Sequence, residues 1–350
     1  SDTFATVSRS SFHAQGRTAL ALPVILCLAI DCGRADDADD APPRLALPES
    51  TATEVDAAAV LARARGAFAG ALVAPTDARP VRSEGGTFAI DGHRPSAGSV
   101  ALPTLASGEV ELAHAASGVR VYVALEGSAG SPGYVVDGLV VYPRGAPHGG
   151  DLVQRPTPGG VEDYAVFYER PAKPELRYAL RLEQTRALRL HAGRLEVLDA
   201  VGAPRVRVEP PYVIDREGAR HSAALAIEGC PVDTDPRVPW RREPVGLGGD
   251  RAGAVVVAAT CTLVVTWPET VDAPLLVDPE WRFAANMSHE RTHHTATLLA
   301  TNDILVAGGF DVGELAIAET EIFCPDDVCA PTGAFTAGPL LDAARGGHTA

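Results

Sequence analysis

The chain has 350 residues and a formal net charge of −15. That length can bury a sizeable core and divide into two domains, and the acidic balance excludes a nucleic-acid backbone as partner on electrostatic grounds. With 28 prolines, 34 glycines and 5% aromatic residues, the composition favours many short strands and turns over long helices.

Arg9, His13 and Arg17 precede an apolar run from Ala19 to Ile30. The run is too short to span a bilayer and has the length of a signal-peptide core. Residues 1–32 therefore read as a leader, and the chain as secreted or displayed at the cell surface. Cys32 follows at once, as in a bacterial lipoprotein signal whose cysteine is lipidated, although Asp31 stands where such signals need a small neutral residue. Membrane contact is expected only through such an anchor. Residues 33–107 read as an acidic, Pro-rich linker. Asp36, Asp37, Asp39 and Asp40 lack the glycine and terminal glutamate of an EF-hand loop, so they read as a solvated tether. Within the linker, the Ala, Leu and Arg content of residues 54–68 predicts a short helix, with Thr51 or Thr53 as its cap. Residues 74–107 read as loop.

From residue 108 to 281 the pattern changes to strand after strand. Val119, Val121, Val123 and Leu125 alternate with other residues. Short apolar runs follow at 134–142, 165–168, 176–182, 188–190, 195–198, 206–209, 212–214, 223–227, 255–257 and 261–267, each bounded by turn residues. Strands at this spacing predict a β-sandwich-like module. Cys230 follows one strand and Cys261 opens another, so a disulfide between them would staple neighbouring strands. Asp233 and Asp235 could serve a cation or acid–base chemistry, but their Pro-rich setting reads as turn chemistry. Gly246, Leu247, Gly248 and Gly249 lack the Lys and Ser or Thr of a phosphate loop.

The end of the chain carries a near-repeat. Arg291, His294, Thr295 and Ala296 open a segment whose pattern returns at Arg345, His348, Thr349 and Ala350, so that His294 and His348 are 54 positions apart. A period near 50 points to propeller blades of about four strands each. Strands are expected at 294–299, 304–307 and 321–323, with Gly333, Phe335 and Leu340–Leu341 marking a fourth and its exit. Gly308 and Gly309 mark a bend or the close approach of another backbone. His289, Glu290 and His293 match H-E-x-x-H, whose two histidines bind zinc when a helix puts them on one face. The Thr-rich strand and turn character that follows argues against that helix and against metal. Recurrence of the Arg and His in both copies predicts a structural role. Cys324 and Cys329 read as a second disulfide, because no nearby Cys or His completes a four-ligand zinc site.

Met287, Arg291, His294, Thr295, Ala296, Gly308, Gly309, Phe323, Pro325, Gly333, Phe335, Arg345 and His348 together resemble a kelch repeat of the form found in bacterial secreted proteins and galactose oxidase-like propellers. Cys324 departs from the Asp usual before that Pro. The resemblance implies that residues 287–350 are one kelch repeat and the start of a second, an incomplete propeller at the front of a longer protein. Two phrases, at 195–215 and 273–281, resemble a β-rich module of unassigned function that precedes repeats in large bacterial surface proteins. The fold expected is therefore mainly β: a β-sandwich-like module, then the first blade of a truncated kelch-type β-propeller, with a short N-terminal helix. The function expected is non-enzymatic binding or adhesion, with a protein or glycan ligand and no cofactor, catalytic residue or metal. The galactose oxidase-like alternative would place a copper site beyond this chain.

Overall fold

In a computed structural model, the structure describes residues 53–75, 79–82, 86–91, 98–157, 159–235, 246–248, 256–284, 287–301, 303–324 and 335–349. The leader, most of the tether, Cys32 and Cys329 lie outside the described residues.

The described part is mainly β, with one α-helix and three antiparallel sheets. The helix, Glu54–Ala67, begins where the chain can satisfy its first N–H groups. Thr53 Oγ1 accepts from the Asp56 amide, and the Asp56 carboxylate accepts from the Thr53 amide. Ala57, Leu61 and Ala64, spaced by four and three, form its buried stripe. The helix lies on one face of an 11-stranded sheet, where it meets Leu139, Val141, Val153, Tyr164, Val166 and Leu276. Two arginines fasten it: Arg63 donates to Asp151 at 2.7 Å and lies over the Tyr168 ring, and Arg65 donates to Asp137 at 2.6 Å.

The opposite face of that sheet shares a single buried cluster with an 8-stranded sheet. Alternation explains who contributes. In strand Glu175–Thr185 the buried residues are Leu176, Tyr178, Leu180, Leu182 and Thr185, with arginines and glutamates between them. In strand Gly160–Phe167 every residue is buried. There Val161, Ala165 and Phe167 enter the inter-sheet cluster, while Tyr164 and Val166 meet the helix.

The 8-stranded sheet corrects the reading of residues 74–107 as loop and linker. Arg79–Arg82, Thr87–Asp91 and Ser99–Pro103 are strands, added successively to the edge at Val110–Ala113. Main-chain pairing to an existing sheet asks little of the side chains, so the Pro and Gly content concealed them. The helix docks on the same module. The apolar run 134–142 is a hairpin, not one strand: Asp137 and Gly138 both have positive φ, 50° and 79°, and turn Tyr134–Val136 onto Leu139–Tyr142.

The Cys230–Cys261 disulfide is present. It joins the residues after strand Ala224–Glu228 to the paired strand Val256–Thr266. Cys324 is also disulfide-bonded.

Leu61→Ala removes the centre of the helix's buried stripe and should cost about 2–5 kcal/mol. Val55→Ala, at a site 78% exposed, should stay within about 0.5 kcal/mol of the parent. Urea unfolding of the two variants checks the contrast; equal stabilities would mean that the helix is not docked.

Candidate functional site

The repeat segment forms the third sheet, a meander of Thr295–Leu298, Ile304–Ala307, Thr320–Phe323 and Phe335–Ala337. Its organising group is Arg291, whose side chain is fully buried beside Glu321. The guanidinium donates to the carbonyls of Gly308 at 3.1 Å and Glu319 at 2.7 Å, and to Glu321 Oε2 at 2.8 Å. Glu321 Oε1 in turn accepts from the Ser288 amide at 2.6 Å and from the Ser288 hydroxyl at 2.5 Å. One planar cation therefore ties the segment before the first strand, the Gly-Gly bend and the third strand together.

Gly308 and Gly309 have φ of +58° and +109°, a region that favours glycine. A Cβ on Gly308 would lie 2.3 Å from the Arg345 carbonyl oxygen, and one on Gly309 would lie 2.6 Å from that of Thr292. Gly309 donates to Arg345 O at 2.8 Å, and Gly347 donates to His293 O at 2.9 Å. The returning segment thus runs against the bend with no room for side chains.

The two copies of the Arg-His pair play different parts. The Arg345 side chain is exposed and donates to Ala343 O at 3.3 Å, while its main chain does the bridging. His294 is exposed, and partial desolvation and the Arg291 charge lower its pKa. His348 Nε2 lies 3.2 Å from Thr295 Oγ1. Phe323 and Phe335 face each other in register, with ring centroids 4.8 Å apart.

His289 and His293 do not share a helix face, because no residue from 287 to 294 is helical. His293 has φ +52° and meets the Phe310 ring edge-on. Among the described residues, no group of three or more Cys, His, Asp or Glu side chains is placed to hold a metal ion. Asp233 pairs through its main chain with Leu188 and Leu190, and its carboxylate accepts from the Asp235 amide at 3.0 Å, which is turn chemistry.

Sequence reasoning missed the polar groups buried inside the module. Asp163, on the inter-sheet side of its strand, accepts from Gln154 Nε2 at 3.0 Å, and Gln154 Oε1 accepts from the Tyr142 hydroxyl at 2.9 Å. Burial raises the Asp163 pKa to about 6, opposed by the Gln154 amide and the facing Tyr178 hydroxyl. On the other face, Glu162 binds the Arg155 guanidinium through both oxygens and accepts from the Tyr164 hydroxyl. Asp278 stands beside this group, opposite Tyr212 in the ladder. Burial and then the charge of Glu162 hold its carboxyl well above the usual carboxylate range. Farther along, Glu196 bridges Arg189 and Arg207 across three strands. The two phrases at 195–215 and 273–281 thus meet in space, since Glu280–Phe283 pairs with Pro204–Val208 and Leu275–Asp278 pairs with Tyr212–Ile214.

The outward face of the 8-stranded sheet carries a groove of about 460 Å³, lined by Glu109, Arg181, Glu228, Thr260 and Thr262 among others. Arg181 lies over the Tyr122 ring and is held by Glu109 at 2.7 Å and Glu183 at 2.6 Å.

No protein-family model matches this chain, and no curated protein matches it.

Replacing one member of the buried Arg291–Glu321 pair, as in Arg291→Met or Glu321→Gln, should cost about 3–5 kcal/mol, because the other charge is left uncompensated. Hydrogen exchange should accelerate across 304–323 and not across 160–182; uniform acceleration would contradict a local role.

Asp163 predicts an opposite-to-usual pH dependence. Its folded pKa, about 6, lies above the unfolded value. Its contribution is therefore fully present below about pH 4 and is lost as pH rises through about 6, a span worth about 3 kcal/mol. Urea unfolding from pH 4 to pH 8 should show this slope, and Asp163→Asn should reduce it, leaving the part of the same sign that Asp278 contributes; an unchanged slope in the variant would refute the assignment.

Proposed function

We propose that this chain is an exported or cell-surface binding scaffold, in which a β-sandwich-like module supports a kelch-type blade that presents loops to a protein or glycan. The observation that carries the reading is where the repeat spends its chemistry. Arg291, Glu321, Gly308 and Gly309 are consumed in holding strands and bends together, and such a frame suits loops that recognise rather than transform a ligand. The Cys230–Cys261 bridge is compatible with an oxidising, extracellular setting. Among the described residues, no helix is long and apolar enough to cross a membrane; surface attachment would fall to lipidated Cys32.

The loop at 311–315 is the part best built for recognition. Asp311 Oδ1 accepts from the amides of Gly313 at 2.8 Å and Leu315 at 2.9 Å, which fixes the loop. Val312 and Leu315 stand 83% and 68% exposed on it. An ordered loop that displays apolar side chains loses little entropy on binding.

Binding of the purified chain to an array of immobilised neutral and acidic oligosaccharides and surface-protein fragments tests the proposal. Val312→Asp with Leu315→Asp should weaken saturable binding by about tenfold or more, with thermal unfolding unchanged. Absence of saturable binding, or binding indifferent to the loop, would count against it.

A further inference from the structure

We propose that the outward face of the 8-stranded sheet carries a second binding site, a groove that takes a neutral oligosaccharide. This site is separate from the loop at 311–315 and goes beyond the recognition proposed for that loop. Strand alternation builds it. In strand Glu175–Thr185, Leu176, Tyr178, Leu180 and Leu182 enter the core, so Arg177, Ala179, Arg181 and Glu183 face outward. Ala179 is in register with Ala124 on one neighbour and Thr262 on the other, and Thr262 is in register with Glu228. These small side chains form a floor. Arg181, Glu109 and Glu228 stand around it as walls and enclose about 460 Å³. Glu109 precedes strand Val110–Ala113, and Glu228 ends strand Ala224–Glu228. Those two strands are four ladder steps apart, about 19 Å, which admits a chain of linked rings rather than a single ring.

The walls are fixed before any ligand arrives. The Arg181 guanidinium lies 3.4 Å above the Tyr122 ring and donates to Glu109 at 2.7 Å and to Glu183 at 2.6 Å. Arg177 donates to Glu228 at 2.5 Å and to Glu126 at 3.3 Å. Glu126 also accepts from the Thr262 hydroxyl at 3.4 Å. Exposed ion pairs of this kind contribute little to stability. What they do is hold long side chains in one conformation, so a ligand does not bear the cost of ordering them.

The chemistry of the lining selects the ligand class. Leu180 and Cys261 line the groove only from the core side of the sheet, where both are buried, so an apolar ligand has little to cover. An anion meets the carboxylates of Glu109 and Glu228, and the lining guanidinium of Arg181 is already bonded to two carboxylates. A cation finds both wall carboxylates already paired with arginine. Hydroxyl groups meet neither obstacle. Glu109 and Glu228 have side chains 45% and 57% exposed and keep lone pairs that accept from a hydroxyl, while the hydroxyls of Thr260 and Thr262 on the lining both donate and accept. Closely spaced hydroxyls on linked rings, with no net charge, are the chemistry of a neutral oligosaccharide.

The test titrates the full chain with cellohexaose, maltohexaose, mannohexaose and chitohexaose, followed by calorimetry and by amide NMR shifts. A heparin-derived hexasaccharide and hexa-arginine serve as the acidic and basic comparators. At least one neutral hexasaccharide should bind saturably and shift amides at 179–181, 228–229 and 260–262. Ala179→Phe fills the floor from a solvent-facing strand position and should abolish that binding, with thermal unfolding unchanged. Thr262→Val keeps the shape without the hydroxyl and should weaken binding by about fivefold. Val312→Asp with Leu315→Asp should leave it unaltered, which separates this site from the loop. Absence of saturable binding by every neutral hexasaccharide would overturn the inference. So would binding that survives Ala179→Phe, binding lost in the loop variant, or groove shifts produced by hexa-arginine or the heparin fragment alone.

Discussion

The structure depends on one constraint, the burial of strand Gly160–Phe167 on both faces. All eight of its residues are removed from water, because one face belongs to the inter-sheet cluster and the other is shared between the helix and a set of paired charges. Even its first residue has no latitude: a Cβ on Gly160 would lie 1.9 Å from the Trp281 carbonyl oxygen. A strand dry on both sides cannot leave a polar group uncompensated without a cost of about 1–3 kcal/mol or more. Its two acids therefore recruit partners from other strands, Glu162 on one face and Asp163 on the other.

The repeat segment solves the same problem by different means. Its first strand, Thr295–Leu298, has no buried residue, and Leu298 is 66% exposed. Hydrophobic burial contributes little there, so order comes from hydrogen bonds that converge on Arg291 and from the tight approach at Gly308 and Gly309. The module is held by area removed from water, and the third sheet by a few bonds that each have no substitute. Loss of one bond in the second kind of architecture is local and severe, whereas the first spreads a loss over many neighbours.

Features legible in the sequence were those that rest on near neighbours. The helix and its Thr53 cap follow from residues three and four apart. The alternation at 119–125, the four strands of the repeat and the Gly-Gly bend are likewise local patterns. What escaped was set by distant partners. Strands Arg79–Arg82 and Ser99–Pro103 take their form from the sheet edge they join. Asp163 and Asp278 read in sequence as ordinary polar positions, and nothing near Asp278 announces Glu162, more than a hundred positions earlier.

By itself, the sequence determined the β-rich class, the short helix with a threonine cap at Thr51 or Thr53, and the Cys230–Cys261 pair, because periodicity, capping and turn chemistry operate over a few residues. Only the tertiary structure decided that the supposed linker is part of a sheet. It alone decided which groups Arg291 ties together, and that the phrases at 195–215 and 273–281 pair as neighbouring strands around a buried carboxyl. Those outcomes depend on which surfaces lose water, and desolvation is a property of the assembled fold rather than of any segment within it.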